Sequence, residues 1–196
     1  MSFNVTRGMK NLLAYSEELD NGYYNTVSYP CVITPNAILA PNGKLSADLI
    51  TASGGNARHG IYHSSAIPAP YVGQISTVSC YILKNTSDFA WVGEAGDSLW
   101  HGAMFNVNLG TYISTYPAGT IESYVITPTG DYFRISVTSR RSATGNFTPL
   151  FGVGDSGGNY VFTPNATAES VYVWGVQHNY GHLADDYVHT REVPIT

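Results

Sequence analysis

Asn11-Leu12-Leu13-Ala14-Tyr15-Ser16-Glu17-Glu18-Leu19-Asp20-Asn21 stands near one end of the chain. Val171-Tyr172-Val173-Trp174-Gly175-Val176-Gln177, leading to Tyr187-Val188-His189-Thr190, stands near the other. The second stretch is rich in valine and aromatic residues and carries no helical spacing of apolar positions, the pattern of a strand. The same composition recurs between the two ends, as short β-branched and aromatic runs separated by Gly, Pro, Asn and Asp. The expected class is all-β.

Working inward, the clearest expected strands are residues 76–84, 104–108, 120–126, 131–138, 147–153, 160–162 and 170–177, with weaker ones at 28–33, 45–50 and 60–63. Thr127-Pro128-Thr129-Gly130-Asp131 joins two alternating runs and has the chemistry of a reversing turn. Pro35-Asn36 and Pro41-Asn42-Gly43 predict two turns before the next strand. Only residues 16–19 read as a helical turn. Short strands with long loops fit a two-sheet sandwich, in which each sheet hides one apolar face.

The 196 residues suffice for one well-buried domain, expected over residues 11–196 behind an N-terminal arm at 1–10. Charged residues make up 12%, against about a quarter in typical soluble domains. The expected surface is therefore neutral and rich in hydroxyl and amide groups. A net charge of -5, with Arg140-Arg141 as the one basic pair, gives no footprint for nucleic acid. No apolar run is long enough to insert in a membrane, and Met1-Ser2-Phe3-Asn4 lacks the pattern of a signal peptide. Sequons begin at Asn4, Asn85, Asn146 and Asn165, as Asn and Thr richness alone would produce. Cys31 and Cys80 each sit in an apolar run and read as buried thiols in preference to a disulfide.

Candidate chemistry is sparse. Gly154-Asp155-Ser156-Gly157-Gly158 reproduces the pentapeptide around a trypsin-like nucleophile, but no suitable histidine context accompanies it, and a loop is expected there. His59 with His63, and His178 with His182, have a zinc-like gap. Neither pair lies on an expected helix, and on a strand the two ends would lie about 13 Å apart. Loop histidines are expected. The carboxylates Asp97, Asp131, Asp155, Asp185, Asp186 and Glu122 form no evident hydrolytic pair.

Aromatic side chains remain, and flat rings beside amides and guanidinium groups are what sugars stack on. Trp174 is expected in the core. The candidate ligand-binding residues are Trp91 and Trp100, read as flanking a turn at residues 93–97, and Tyr112 and Tyr116, read as flanking a polar stretch that ends at Pro117-Ala118-Gly119.

The two end stretches resemble the N-L-L-x-Y-S-E-x-x-x-N opening and the Y-x-W-G-x-Q closing, completed by Y-x-x-T, of a jelly-roll module. That module is similar to carbohydrate-binding modules and recurs in bacteriophage tail and virion proteins. Ala40-Pro41-Asn42-Gly43-Lys44-Leu45-Ser46-Ala47-Asp48 resembles its A-P-D-G-x-x-x-A-D segment. Residues 79–84 resemble its S-x-Y-x-K strand, and Gly130-Asp131-Tyr132-Phe133-Arg134-Ile135-Ser136 its G-x-x-Y-R-x-S segment. Val176-Gln177-His178-Asn179 departs from the usual A-Q-L-E, and Tyr23-Tyr24 stands where a tryptophan is common.

The resemblance implies a jelly-roll β-sandwich of two antiparallel sheets. It also implies a non-enzymatic phage virion protein exposed on the particle, a capsid or tail decoration or attachment module. A host-glycan receptor-binding tail fibre domain is the alternative, and a polysaccharide-degrading enzyme the third reading. The implied partners are other virion proteins and cell-surface glycans, and the implied oligomer is a trimer, although no heptad encodes one. Fibre modules usually end a longer chain, so a module starting ten residues from Met1 is expected to dock through its own surface or through residues 1–10. No cofactor is expected. Related modules often hold a structural calcium, for which Glu17, Glu18, Asp20 and Glu169 stand at comparable positions.

Overall fold

The computed structural model describes residues 10–64, 67–69, 71–96, 99–116, 121–142 and 144–192. Residues 1–9 of the expected arm, Asp97 and Pro117-Ala118-Gly119 lie outside them. The first sheet contains β1 (Tyr24–Asn25), β4 (His59–His63), β5 (Ile67–Ala69), β7 (Phe89–Gly96), β8 (Leu99–Asn106), β9 (Thr111–Tyr116) and β12 (Gly145–Val153). The second contains β2 (Cys31–Leu39), β3 (Leu45–Ala52), β6 (Ile75–Lys84), β10 (Ile121–Thr129), β11 (Tyr132–Arg140) and β13 (Ser170–Tyr180). No helix occurs among the described residues.

The strand orders are β1-β4-β12-β7-β8-β9, with β5 also on β12, and β10-β11-β6-β13-β3-β2. At the centre lie β4-β12-β7-β8 facing β3-β13-β6-β11, all paired antiparallel. Strands adjacent in sequence, such as β3 and β4 or β6 and β7, fall in opposite sheets. That is the double Greek-key winding of a jelly roll.

Apolar alternation builds the core. Ala90 and Val92 of β7, Phe151 and Val153 of β12, Ile135 and Val137 of β11, and Val171 and Val173 of β13 meet between the sheets. The intervening residues build smaller cores on the outer faces: Trp91, Trp100, Met104, Leu150 and Tyr160 on the first sheet, and Ala47, Tyr132 and Trp174 on the second.

One bulge keeps the last strand in phase. Trp174 pairs with Tyr81 and Gln177 with Ser79, so β13 carries one residue more than its partner, with Gly175 at φ 60°. Val176 thereby returns to the core, as Val171 and Val173 do before the bulge.

Several expected elements differ. Residues 93–96, read as a turn, belong to β7, and residues 112–116 to β9. Residues 160–162 form no strand; only Phe162 bridges Ala57. The chain does not reverse at Pro35-Asn36, because β2 runs through them with a register irregularity between Thr34 and Ile38 and Asn36 at φ 52°. Residues 16–19 form turns, not a helix. The expected 127–131 turn is present, with Thr129 paired to Tyr132 across Gly130-Asp131.

Candidate functional site

The end signatures are knit to each other. Asn11 is fully buried, and its amide donates to the Val176 and Val188 carbonyls at 3.0 Å each while its oxygen accepts from the Leu13 and His178 amides. Thr190 Oγ1 donates to the Leu13 carbonyl at 2.5 Å. Gln177 accepts from Val188 N and donates to the Asp185 carbonyl. Residues 181–191 are thus strapped over the outer face of the second sheet, further pinned by Thr77, Thr138 and Asn179 on the carbonyls of Gly181, His182 and Leu183.

Of the four aromatic candidates, three come together. Trp91 is wholly buried, so it offers no ring face to a ligand; its indole donates to the Val153 carbonyl at 3.1 Å. Its ring lies against Gly60 and Gly152, neither of which leaves room for a Cβ. Trp100 is 8% exposed, packed edge-on to Trp91 at 5.1 Å and to Tyr116 at 5.1 Å. These tryptophans were expected on an exposed rim. The strand continues through Gly93 and Gly96, so they alternate onto a sheet face covered by Tyr29, Tyr160 and Tyr116.

Tyr116 is half-buried, and Arg58 completes the group. Its Nη2 donates to the Tyr116 hydroxyl at 2.7 Å, and its guanidinium stands 4.8 Å from the Tyr116 ring and 5.2 Å from that of Trp100. Tyr29 and Tyr62, both half-buried, extend the patch, 5.9 Å apart. Burial raises the Tyr29 hydroxyl pKa, against the lowering pull of Arg58. The result is a strip of partly open phenol rings with one fixed cation. Sequence reading missed Arg58, Tyr29 and Tyr62, which lie far from the tryptophans along the chain.

Tyr112 is elsewhere. Met104 pairs with Ser114 and Phe105 with Tyr112, so Ile113 is an extra residue that turns Tyr112 away from the face of Tyr116. Tyr112 stacks on Tyr124 at 4.4 Å and 9°, closing the edge between β9 and β10.

The other motifs are structural. The Asp155 carboxylate accepts from the amides of Gly157 and Asn159 and from the Asn159 side chain, shaping the turn in which Ser156 is exposed. His59 and His63 are buried on β4 and His178 on β13, not in loops. Among the described residues no three His, Cys, Asp or Glu side chains gather as a metal would need. The calcium candidates are divided. Glu17 accepts from the Tyr187 hydroxyl, and the Leu19 amide meets Asp48, whereas Glu169 takes the Ala52 amide on its carbonyl. Positions 48 and 52 lie about 13 Å apart along β3. Cys31 and Cys80 are free thiols.

A further carboxylate escaped the sequence reading. Glu94, 2% exposed, points between the sheets, where Ser76 donates at 2.9 Å, His178 Nε2 lies at 3.1 Å and Ser139 also donates. Its enclosure makes it a packing element, since no ligand reaches it.

No family model matches the sequence, and no curated protein matches it. Among solved structures, the chain is similar to the enzymatically active domain of bacteriophage CBA120 tailspike protein 4, at 9% identity and a TM-score of 0.48. The match covers 87% of this chain and 21% of that one. The chain thus spans about a fifth of that protein's length. The expectation of a non-enzymatic protein is not upheld, since the tailspike domain that shares this likeness is an enzymatically active one. That activity is a statement about the tailspike.

Proposed function

We propose that this chain is a bacteriophage virion module, of tail or capsid, that attaches to carbohydrate through the outer face of its first sheet. The phage setting is supported by the end signatures and by the segments at residues 40–48, 79–84 and 130–136. The attachment role is supported by one observation above all, the strip in which Arg58 is held between Tyr116 and Trp100 beside half-open Tyr29 and Tyr62. Phenol faces accept the C–H faces of a sugar ring, while the guanidinium and phenol hydroxyls meet its oxygens.

A glycan array probed with the purified chain tests the reading. Binding to a subset of glycans, lost in Tyr116→Ala and in Arg58→Ala while both variants stay folded, is the expected result. An array without binding, or binding indifferent to both substitutions, overturns it. Incubating a bound glycan with the chain and sizing the products reads directly whether binding leads to cleavage.

A further inference from the structure

The second sheet carries a cleft of its own, of about 430 Å³, between the strapped C-terminal segment and the start of β3. Its walls come from the signature segments: Glu17 and Glu18 from the opening, Lys44 from the β2–β3 turn, Ser46 from β3, Trp174 from β13 and Arg191 from the strap.

Two of these walls carry a buried polar atom without a partner among the described residues, Trp174 Nε1 and Ser46 Oγ. Trp174 is 4% exposed and fixed by Tyr81 at 5.1 Å and Tyr187 at 4.6 Å, so its indole does not turn freely to find an acceptor. Buried polar groups are nearly always hydrogen-bonded, and a stranded one costs about 1–3 kcal/mol. Two such atoms lie in the walls of this one cleft.

A larger depression, of about 540 Å³, lies beside Lys10. There the buried side chains of Gln74 and Asn179 already have carbonyl partners in Ile75, Tyr180 and Leu183. In the signature cleft, Trp174 Nε1 and Ser46 Oγ have no such partner among the described residues.

Charge selects the ligand class. Glu17 and Glu18 against Lys44 and Arg191 sum to no net charge. Two carboxylates disfavour a phosphate, and two cations disfavour a metal ion. A neutral ring bearing hydroxyls, each both donor and acceptor, matches the lining. We infer that the cleft bounded by Ser46, Trp174 and Tyr187 is a second saccharide site, for a neutral sugar unit, on the opposite sheet from the Arg58 strip. The inference rests on the carbohydrate reading above.

The three indoles make the test direct. In a ¹H–¹⁵N spectrum of the full chain each gives one Nε1–H signal, and that of Trp174 is identified by its loss in Trp174→Phe. Titration with glucose, galactose, mannose and N-acetylglucosamine at millimolar concentration is expected to move the Trp174 signal with at least one sugar. Ser46→Ala is expected to weaken that response about tenfold, as loss of one hydrogen bond does, while leaving the free protein at least as stable. Movement of the Trp100 signal alone overturns the cleft and leaves the Arg58 strip standing. No indole movement with glycan-array binding intact also overturns the cleft. No movement together with a blank array overturns both sites.

Discussion

Ser16 and Thr190, 174 residues apart, are joined by three hydrogen bonds: the Thr190 amide donates to Ser16 Oγ at 2.9 Å, the Ser16 amide donates to the Thr190 carbonyl at 3.2 Å, and Ser16 Oγ donates to the same carbonyl at 3.4 Å. Each belongs to one of the end signatures. With Asn11 bound to Val176 and Val188, they close the two ends of the chain into one layer over β13.

That closure predicts a large effect from a small change. Asn11→Ala strands two carbonyls and the Leu13 and His178 amides in a buried place. The expected loss is about 3 kcal/mol, the upper end for a stranded buried group because several are stranded together. Urea unfolding with an unchanged slope and a lower midpoint is the check. A midpoint equal to the wild type would mean that the layer contributes nothing.

The all-β class, the 127–131 turn and most strands of the second sheet were legible because alternation and turn chemistry are local. The site was less so. Gly93 and Gly96 read as turn residues, yet they lie on β7, and Gly96 leaves room for the Arg141 guanidinium. Tyr112 and Tyr116 are four apart and should share a strand face, but the extra residue at Ile113 separates them. Bulges and glycines that serve packing look in a sequence like the punctuation of loops. Arg58 and Tyr29 reach the strip through pairings that only the fold supplies.

Packing of Trp91 gives a second prediction. A Cβ at Gly152 would lie 2.1 Å from the Trp91 ring and 2.3 Å from the His59 carbonyl oxygen, neither of which can retreat inside a sheet. Gly152→Ala is expected to cost about 3 kcal/mol, the upper range for overpacking. Gly22→Ala has nothing within 4 Å and is expected to be neutral. Equal thermal midpoints for the two variants would contradict this account.

Asp48 sets a pH dependence. It accepts from the Leu19 amide and the Asn36 amide, at 2.8 Å each, yet burial outweighs these bonds, and with Asp20 and Glu18 nearby its pKa rises from 3.8 to about 6. Between those values the folded chain holds more protons than the unfolded one, so this group's contribution is present below pH 4 and lost as pH rises through about 6. Stability measured from pH 4 to pH 7 should therefore decline more steeply in the wild type than in Asp48→Asn, which cannot ionise. Parallel profiles would show that Asp48 titrates normally.

The Glu94–His178 pair joins the two sheets by polar bonding inside an apolar core, with Ser76 and Ser139 as further donors. Removing the carboxylate leaves His178, Ser76 and Ser139 buried without these bonds, a loss of about 1–3 kcal/mol for each stranded group. Glu94→Ala is therefore expected to unfold at much lower urea. Glu94→Leu combined with His178→Phe replaces both polar groups by apolar ones, in a site where Phe147 already lies 5.3 Å from the imidazole. Its loss should be smaller than the sum of the two single changes by about 0.5–3 kcal/mol, the range for residues in contact. Strict additivity in that double-mutant cycle would mean that the two side chains do not support one another, leaving the sandwich held at this level by its apolar residues alone.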